Sequence, residues 1–341
     1  MEEQLNQPKK KKKLWILILI LIIIGIFSLF FLKTSFTISQ VVNWTDGDQN
    51  YDDLPELPKK DPDRINILLL GARGLEEEGD GKLLSDAMVL ASIKKSTGQV
   101  ALISLPRDLY VKVWCAREDQ KINFALAQGG LDCAKKTVSY ISDLYVDYAI
   151  SVNFEALKET IDVLDGVSVY LDKPFEETFQ WAKEGNEEDE HWFIKEFDGE
   201  ERWVFHLPAG KNDLDGEVAL YYVRSRYSSD DFDRMRRQQQ VILALKQKAL
   251  SLGVLANPVK IYNLLDILGK NVRTDMRLAD IKSLINLISD FDVDNTTIKK
   301  KFFDISPEGL LYHAFINDEY VLLPVGDDYG QIQAACKNIF Q

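Results

Sequence analysis

Nineteen consecutive uncharged residues, Leu14 to Leu32, follow a run of five lysines, Lys9 to Lys13. As a helix this stretch would span about 28 Å, close to the hydrocarbon thickness of a bilayer. The lysines orient that end toward the cytoplasm. A cleaved signal peptide would have a shorter apolar core and a small-residue cleavage site, whereas Lys33-Thr34-Ser35-Phe36 follows here. The chain therefore reads as a basic cytoplasmic tail (1–13), one transmembrane helix (14–32), a proline-bearing stalk or lead-in (33–62) and an extracytoplasmic domain (63–341). The expected topology is single-pass, with the C-terminal domain outside.

Beyond the stalk, apolar runs alternate with helical periodicity. INILLLG (65–71), DAMVLASI (86–93), QVALISLP (99–106), YAISVNF (148–154) and GVSVYL (166–171) read as strands. Leu131–Leu144 and Glu155–Leu164 read as helices, as do 241–252, 258–268 and 278–290. A short strand at 320–324 and a helix at 328–340 close the chain. This order predicts an α/β domain built on a central, mostly mixed β-sheet flanked by helices. Residues 173–206, dense in charge and aromatics, interrupt the pattern and read as an inserted excursion that could act as a lid.

A formal net charge of −13 argues against a nucleic-acid partner. Three cysteines without metal spacing and three isolated histidines exclude a zinc site and a Cys–His nucleophile. Cys115 and Cys133 could form a disulfide or remain two buried thiols; the sequence leaves both open.

Against this acidity, Tyr221–Gln240 carries five arginines. YYVRSR alternates like a strand, which would put Arg224 and Arg226 on one face. From Asp231 the pattern is helical, with Arg234 and Gln238 four apart on one face. Arginine forks and a helix start together suit a multiply charged phosphate. Alone, such a run more often pairs with its own aspartates on a solvated surface. Four further polar clusters sit at predicted strand ends: the glycine-rich loop 71–82, Ser85-Asp86, Ser104–Asp108 with Arg107 set by Pro106, and Lys121-Ile122-Asn123.

The ordered set SDAMVLASI, ALISLPRDLYV, KINFALAQGG, DGV, AGKNDLDGEVALYYVRSR and DFDRMRRQQ resembles the LytR-CpsA-Psr family of bacterial cell-envelope phosphotransferases. The likeness is strong over 64–250 and looser through 269–281, 320–324 and 326–333. It implies a groove for a polyprenyl chain, a pyrophosphate site at its mouth and a divalent cation, usually Mg²⁺. It implies that Arg107, Arg224, Arg226 and Arg234 hold the diphosphate, with Gln238 beside them, Lys121 and Arg73 assisting, and Asp86 on the metal. Where the family usually has a second acid, this chain reads Gly71-Ala72-Arg73-Gly74. Asp80 or Glu78 could replace that acid, or Arg73 could carry part of the charge balance.

The implied partners are a polyprenyl-pyrophosphate-linked glycan, a cell-wall acceptor such as peptidoglycan, and the bilayer. A sugar hydroxyl would attack the sugar-side phosphorus and expel polyprenyl phosphate, with Asp231 or Asp233 as candidate base. The rivals are a hydrolase of the same donor and a non-enzymatic lipid-binding regulator of the envelope.

Overall fold

The structure is a computed structural model that describes residues 56–72, 83–116, 118–178, 190–225, 230–249, 257–289 and 298–341. The expected tail and membrane helix lie outside these residues, as do Arg73, Glu78, Asp80 and Arg226. No helix among the described residues is long and apolar enough to cross a membrane.

The first three strands are β1 (Arg64–Ala72), β2 (Ser85–Lys94) and β3 (Val100–Ser104). They form an antiparallel meander in which Ile67↔Ala91 and Val89↔Ser104 are paired. A small ribbon, β4 (Tyr110–Lys112) and β5 (Asp119–Lys121), precedes a 3-10 turn at Ile122–Phe124 and helix α1 (Ala125–Ser142). Strand β6 (Tyr148–Asn153) runs parallel to β1 and leads into α2 (Phe154–Val163). The Asn153 side chain caps that helix by accepting from the Ala156 N–H at 2.8 Å.

Then come β7 (Val167–Leu171), β8 (Phe175–Glu177), β9 (Trp192–Phe197), β10 (Glu200–Leu207), β11 (Gly210–Leu214) and α3 (Gly216–Arg224). Helix α4 (Asp231–Ala249) is followed by α5 (Pro258–Asn271), β12 (Val272–Thr274) and α6 (Leu278–Ser289). Strands β13 (Ile298–Phe302), β14 (Leu311–Ile316) and β15 (Glu319–Pro324) and helix α7 (Gly330–Lys337) complete the described chain.

The central sheet has the order β12-β6-β1-β2-β3-β13 and is mixed, as expected. Pairs β1/β6 and β3/β13 are parallel, and the remaining neighbours are antiparallel. This topology brings the carboxyl ends of β1, β3, β6 and β13 to one edge, together with the amino end of β2. Ala72 pairs with Ser85 and Asn153 there, and Phe302 with Ser104. Open α/β sheets place ligands at such an edge.

The buried apolar side chains form two clusters. One joins Leu68, Leu90 and Ile103 to Leu131 and Val138 of α1 and Ile332 of α7. The other gathers Val169, Trp192, Phe205, Val218, Tyr222 and Val241. Helix α4 enters both: Phe232 and Met235 pack in the first, Val241 and Ala244 in the second.

One expectation needs correction. YYVRSR is not a strand, because its described part closes α3. Asp215 caps α3 by accepting from the Val218 N–H at 2.8 Å, and Val218, Ala219, Tyr222 and Val223 bury one helical face. Arg224 therefore ends a helix rather than lying in a strand. In the described part of 173–206, β8, β10 and β9 form a sheet, with Trp192 and Phe205 buried in the second cluster.

Cys115 and Cys133 are joined in a disulfide, while Cys336 is a buried free thiol. The bridge crosses the kink of α1 at Gly129-Gly130. A Cβ on Gly129 would stand 3.0 Å from the Cys115 sulfur, and Gly130 has φ 62°, a left-handed conformation suited to glycine.

Candidate active site

The carboxyl edge of the sheet carries an alternating array of charge. Arg107 leaves β3 just after Pro106. Its Nη1 donates to Asp86 Oδ1 at 2.8 Å, and its Nε lies 3.5 Å from Asp108 and 3.8 Å from Asp231. Burial alone would lower the Arg107 pKa, but Asp108, Asp231 and Asp86 outweigh it and hold the guanidinium above its ordinary value. Arg107 is thus locked as a cation.

Arg234 reaches the same group from the first turns of α4. Its Nη2 lies 2.7 and 2.9 Å from the two Asp231 oxygens and donates to the Asp86 carbonyl at 3.4 Å. Its side chain is only 3% exposed, against 21% for Asp231. Lys121 closes the other side, 3.5 Å from Asp108 and 3.7 Å from Glu319. Among the described residues, Arg107, Arg234 and Lys121 are therefore interleaved with Asp86, Asp108, Asp231 and Glu319.

The sequence-nominated residues thus divide. Asp86, Arg107, Lys121, Asp231 and Arg234 come together. Gln238 is part-buried, one helical turn beyond Arg234. Arg224 lies with its guanidinium over the Phe154 ring at 4.6 Å, at the carboxyl end of β6. That strand lies two positions from β2 in the sheet, roughly 10 Å away. Asp233 turns outward to Arg236 at 2.6 Å, and Arg236 approaches Asp304 at 3.9 Å. The cluster contains Asp231, not Asp233.

Two further α4 residues matter for other reasons. Gln239 is fully buried and donates to Ser104 Oγ at 2.9 Å and to the Leu102 carbonyl at 3.3 Å, clamping α4 across β3. It continues the buried stripe of Phe232 and Met235, so a polar residue at helical spacing on an apolar face was the readable signal. Arg237 is buried, donates to the Tyr222 carbonyl at 2.9 Å and to the Ser225 carbonyl, and lies over Phe175 at 4.8 Å. It satisfies carbonyls at the end of α3 and ties the two helices together.

Among the described residues, no three His, Cys, Asp or Glu side chains converge as a metal cage. The donors around Asp86 are still hard oxygens. The preceding residue in the strand, Ser85, has a fully buried hydroxyl with no hydrogen-bond partner among the described residues. Mg²⁺ is commonly held by one or two carboxylates plus water and substrate phosphate. So sparse a donor set fits a cation shared with a phosphate ligand.

Fold and site together define an α/β domain with a cluster of interleaved arginines and carboxylates at the carboxyl edge of its sheet. The chain belongs to the LytR_cpsA_psr family, whose family model matches residues 30–338. It is 30% identical over 253 residues to the polyisoprenyl-teichoic acid–peptidoglycan teichoic acid transferase TagT of Bacillus subtilis, covering 73% of this chain and 71% of that protein. It is likewise 30% identical over 247 residues to TagU of Bacillus cereus, covering 72% and 71%. Among solved structures, B. subtilis TagT matches at a TM-score of 0.59 and 25% identity, over 87% of this chain and 98% of that one. TagT bound to LIIa-WTA matches at 0.59 and 25%, over 86% and 96%.

Proposed function

We propose that the chain is a glycan phosphotransferase. It moves a phosphoglycan from a polyprenyl-pyrophosphate carrier to a cell-wall acceptor, peptidoglycan, and leaves a phosphodiester. The observation that carries this reading is the pair Arg107–Arg234, two guanidiniums bracketing Asp231 and Asp86 at the sheet edge. The relatives TagT and TagU, named as transferases of teichoic acid to peptidoglycan, support the same class of donor and acceptor.

In the proposed reaction an acceptor hydroxyl attacks the sugar-side phosphorus. Asp231 takes the hydroxyl proton, the bond to the polyprenyl phosphate oxygen breaks, and the electron pair leaves with that phosphate. Arg107 and Arg234, already held in place by carboxylates, stabilise the charge gathering there without reorganising. Arg224, and Arg226 beyond it in sequence, hold other oxygens of the donor, with Lys121, Gln238 and Arg73 assisting. Because carboxylates are interleaved with the cations of the cluster, further positive charge would favour binding of a doubly charged diphosphate. Mg²⁺ bound by Asp86 and the donor's phosphates, with Asp80 a candidate second ligand, would supply that charge and draw electron density from the phosphorus.

The enzyme acts at the outer face of the bacterial cell membrane, held there by the helix read at 14–32, and its reaction involves no nucleic acid. The test is product analysis with a lipid-pyrophosphate-linked glycan, with and without peptidoglycan. Phosphodiester-linked product that needs acceptor supports transfer. Free phosphoglycan at an equal rate in both reactions would identify a hydrolase, and an unconsumed donor would favour a binding protein.

A further inference from the structure

The β14–β15 hairpin projects beside the charged cluster, and nothing in the proposed chemistry yet uses it. It closes on Asn317 and Asp318, with φ 51° and 63°, the tight turn whose twist matches its strands. The paired residues Phe315↔Tyr320, His313↔Leu322 and Leu311↔Pro324 share one face. At the base of that face Leu311 and Leu322 are buried, whereas at the tip Phe315 is 70% exposed and Tyr320 40%. The Phe315 and Tyr320 rings meet edge to face at 6.0 Å, and His313 lies parallel to Tyr320 at 6.3 Å.

This aromatic tip is fixed to the site. The Leu322 N–H donates to the Asp108 carbonyl at 2.9 Å, and Glu319 approaches Lys121 at 3.7 Å. Burial first, and then the charges of Asp108, Asp231 and Asp230, raise the Tyr320 phenol. The charges that reach Tyr320 are thus those of the carboxylates.

We infer that Phe315, Tyr320 and His313 form a stacking platform for an uncharged N-acetylhexosamine ring of the acceptor glycan. Sugar rings present C–H faces that pack on the electron-rich faces of aromatic rings. An exposed aromatic patch at the rim of a site marks a ligand subsite. Charge complementarity selects the acceptor. The diphosphate belongs with the arginines, whereas the attacking hydroxyl must approach a carboxylate to lose its proton. Asp318, Glu319, Asp327 and Asp328 flank the hairpin, which disfavours an anionic polymer or an anionic bilayer there. This subsite rests on the transferase reading above.

The test compares wild type with Phe315→Ala, Tyr320→Ala and Tyr320→Phe. Transfer is measured against peptidoglycan strands, and binding of an N-acetylglucosamine tetrasaccharide by calorimetry. Either alanine variant should raise the acceptor KM and weaken tetrasaccharide binding by about tenfold, with the donor KM unchanged. Tyr320→Phe should retain most of both. An unchanged acceptor KM in variants of an active wild type overturns the platform and leaves the transferase reading standing. A rise in donor KM alone also overturns it. Should wild type fail to transfer, the parent reading falls, and the calorimetry still decides whether these rings bind sugar.

Discussion

Arg234→Lys separates catalysis from packing. The lysine keeps the positive charge but loses the planar fork. In wild type a single Nη2 contacts both Asp231 oxygens and the Asp86 carbonyl, and the side chain is nearly sealed from solvent. An ammonium can keep one Asp231 contact but cannot reproduce the paired geometry toward a phosphate. Losing one preorganised donor to a transition-state oxyanion costs about 3 kcal/mol, or about a hundredfold in turnover. The folded state loses less, on the order of 1–2 kcal/mol, because most of the charge pairing survives. The melting temperature should therefore fall by only about 2–8 °C. The assay is single-turnover transfer from a lipid-pyrophosphate donor at 20 °C, with the folded fraction measured by circular dichroism. A variant that is fully folded at that temperature and turns over within about threefold of wild type would refute a transition-state role for this guanidinium.

Arg236→Ala should change turnover by less than about twofold and stability by less than about 1 kcal/mol, since its ion pair with Asp233 is half exposed; kinetics and urea melts check both. Chelation should abolish transfer and Mg²⁺ restore it, with Asp86→Asn needing more cation than wild type in a metal titration of the rate. Reducing the Cys115–Cys133 bridge, which spans 18 residues, should cost about 3 kcal/mol in urea melts. Burial pushes the Tyr222 phenol from its ordinary 10.0 to about 12, against a smaller opposing pull from Arg237. A raised folded-state pKa stabilises fully below the unfolded value, and that contribution drains as pH rises from 10.0 toward about 12. Tyr222→Phe should flatten that limb of a stability–pH profile measured by urea melts.

Strands β1, β2 and β3 were legible because extensive burial leaves long apolar runs, and β6 because its burial alternates along the strand. Strand β13, IKKKF, was not, because it is an edge strand whose lysines protect it from further pairing. Strand β14 was missed for a related reason: its aromatics and histidine lie largely at the surface and give no buried period. YYVRSR misled because two arginines spaced two apart imitate a strand, while the cap at Asp215 and the buried face of Val218, Ala219, Tyr222 and Val223 follow helical spacing. Arg107, Asp86, Lys121 and Arg234 could be grouped from the sequence because strand ends and a helix start bear them at places the topology joins. That Asp231 faces inward while Asp233 faces Arg236 depends on the rotation of α4, which is set by Phe232, Met235 and the buried Gln239.

The passage of α4 through both apolar clusters has a thermodynamic consequence. Neither cluster can come apart without releasing one end of the helix that carries Asp231 and Arg234. Phe232 and Met235 anchor one end, and Val241 and Ala244 the other. The two halves of the domain should therefore melt as one cooperative unit, and a partly open form that stays active should not accumulate. Slow loss of packing around Trp192 would then extinguish activity as surely as damage at Arg107 itself.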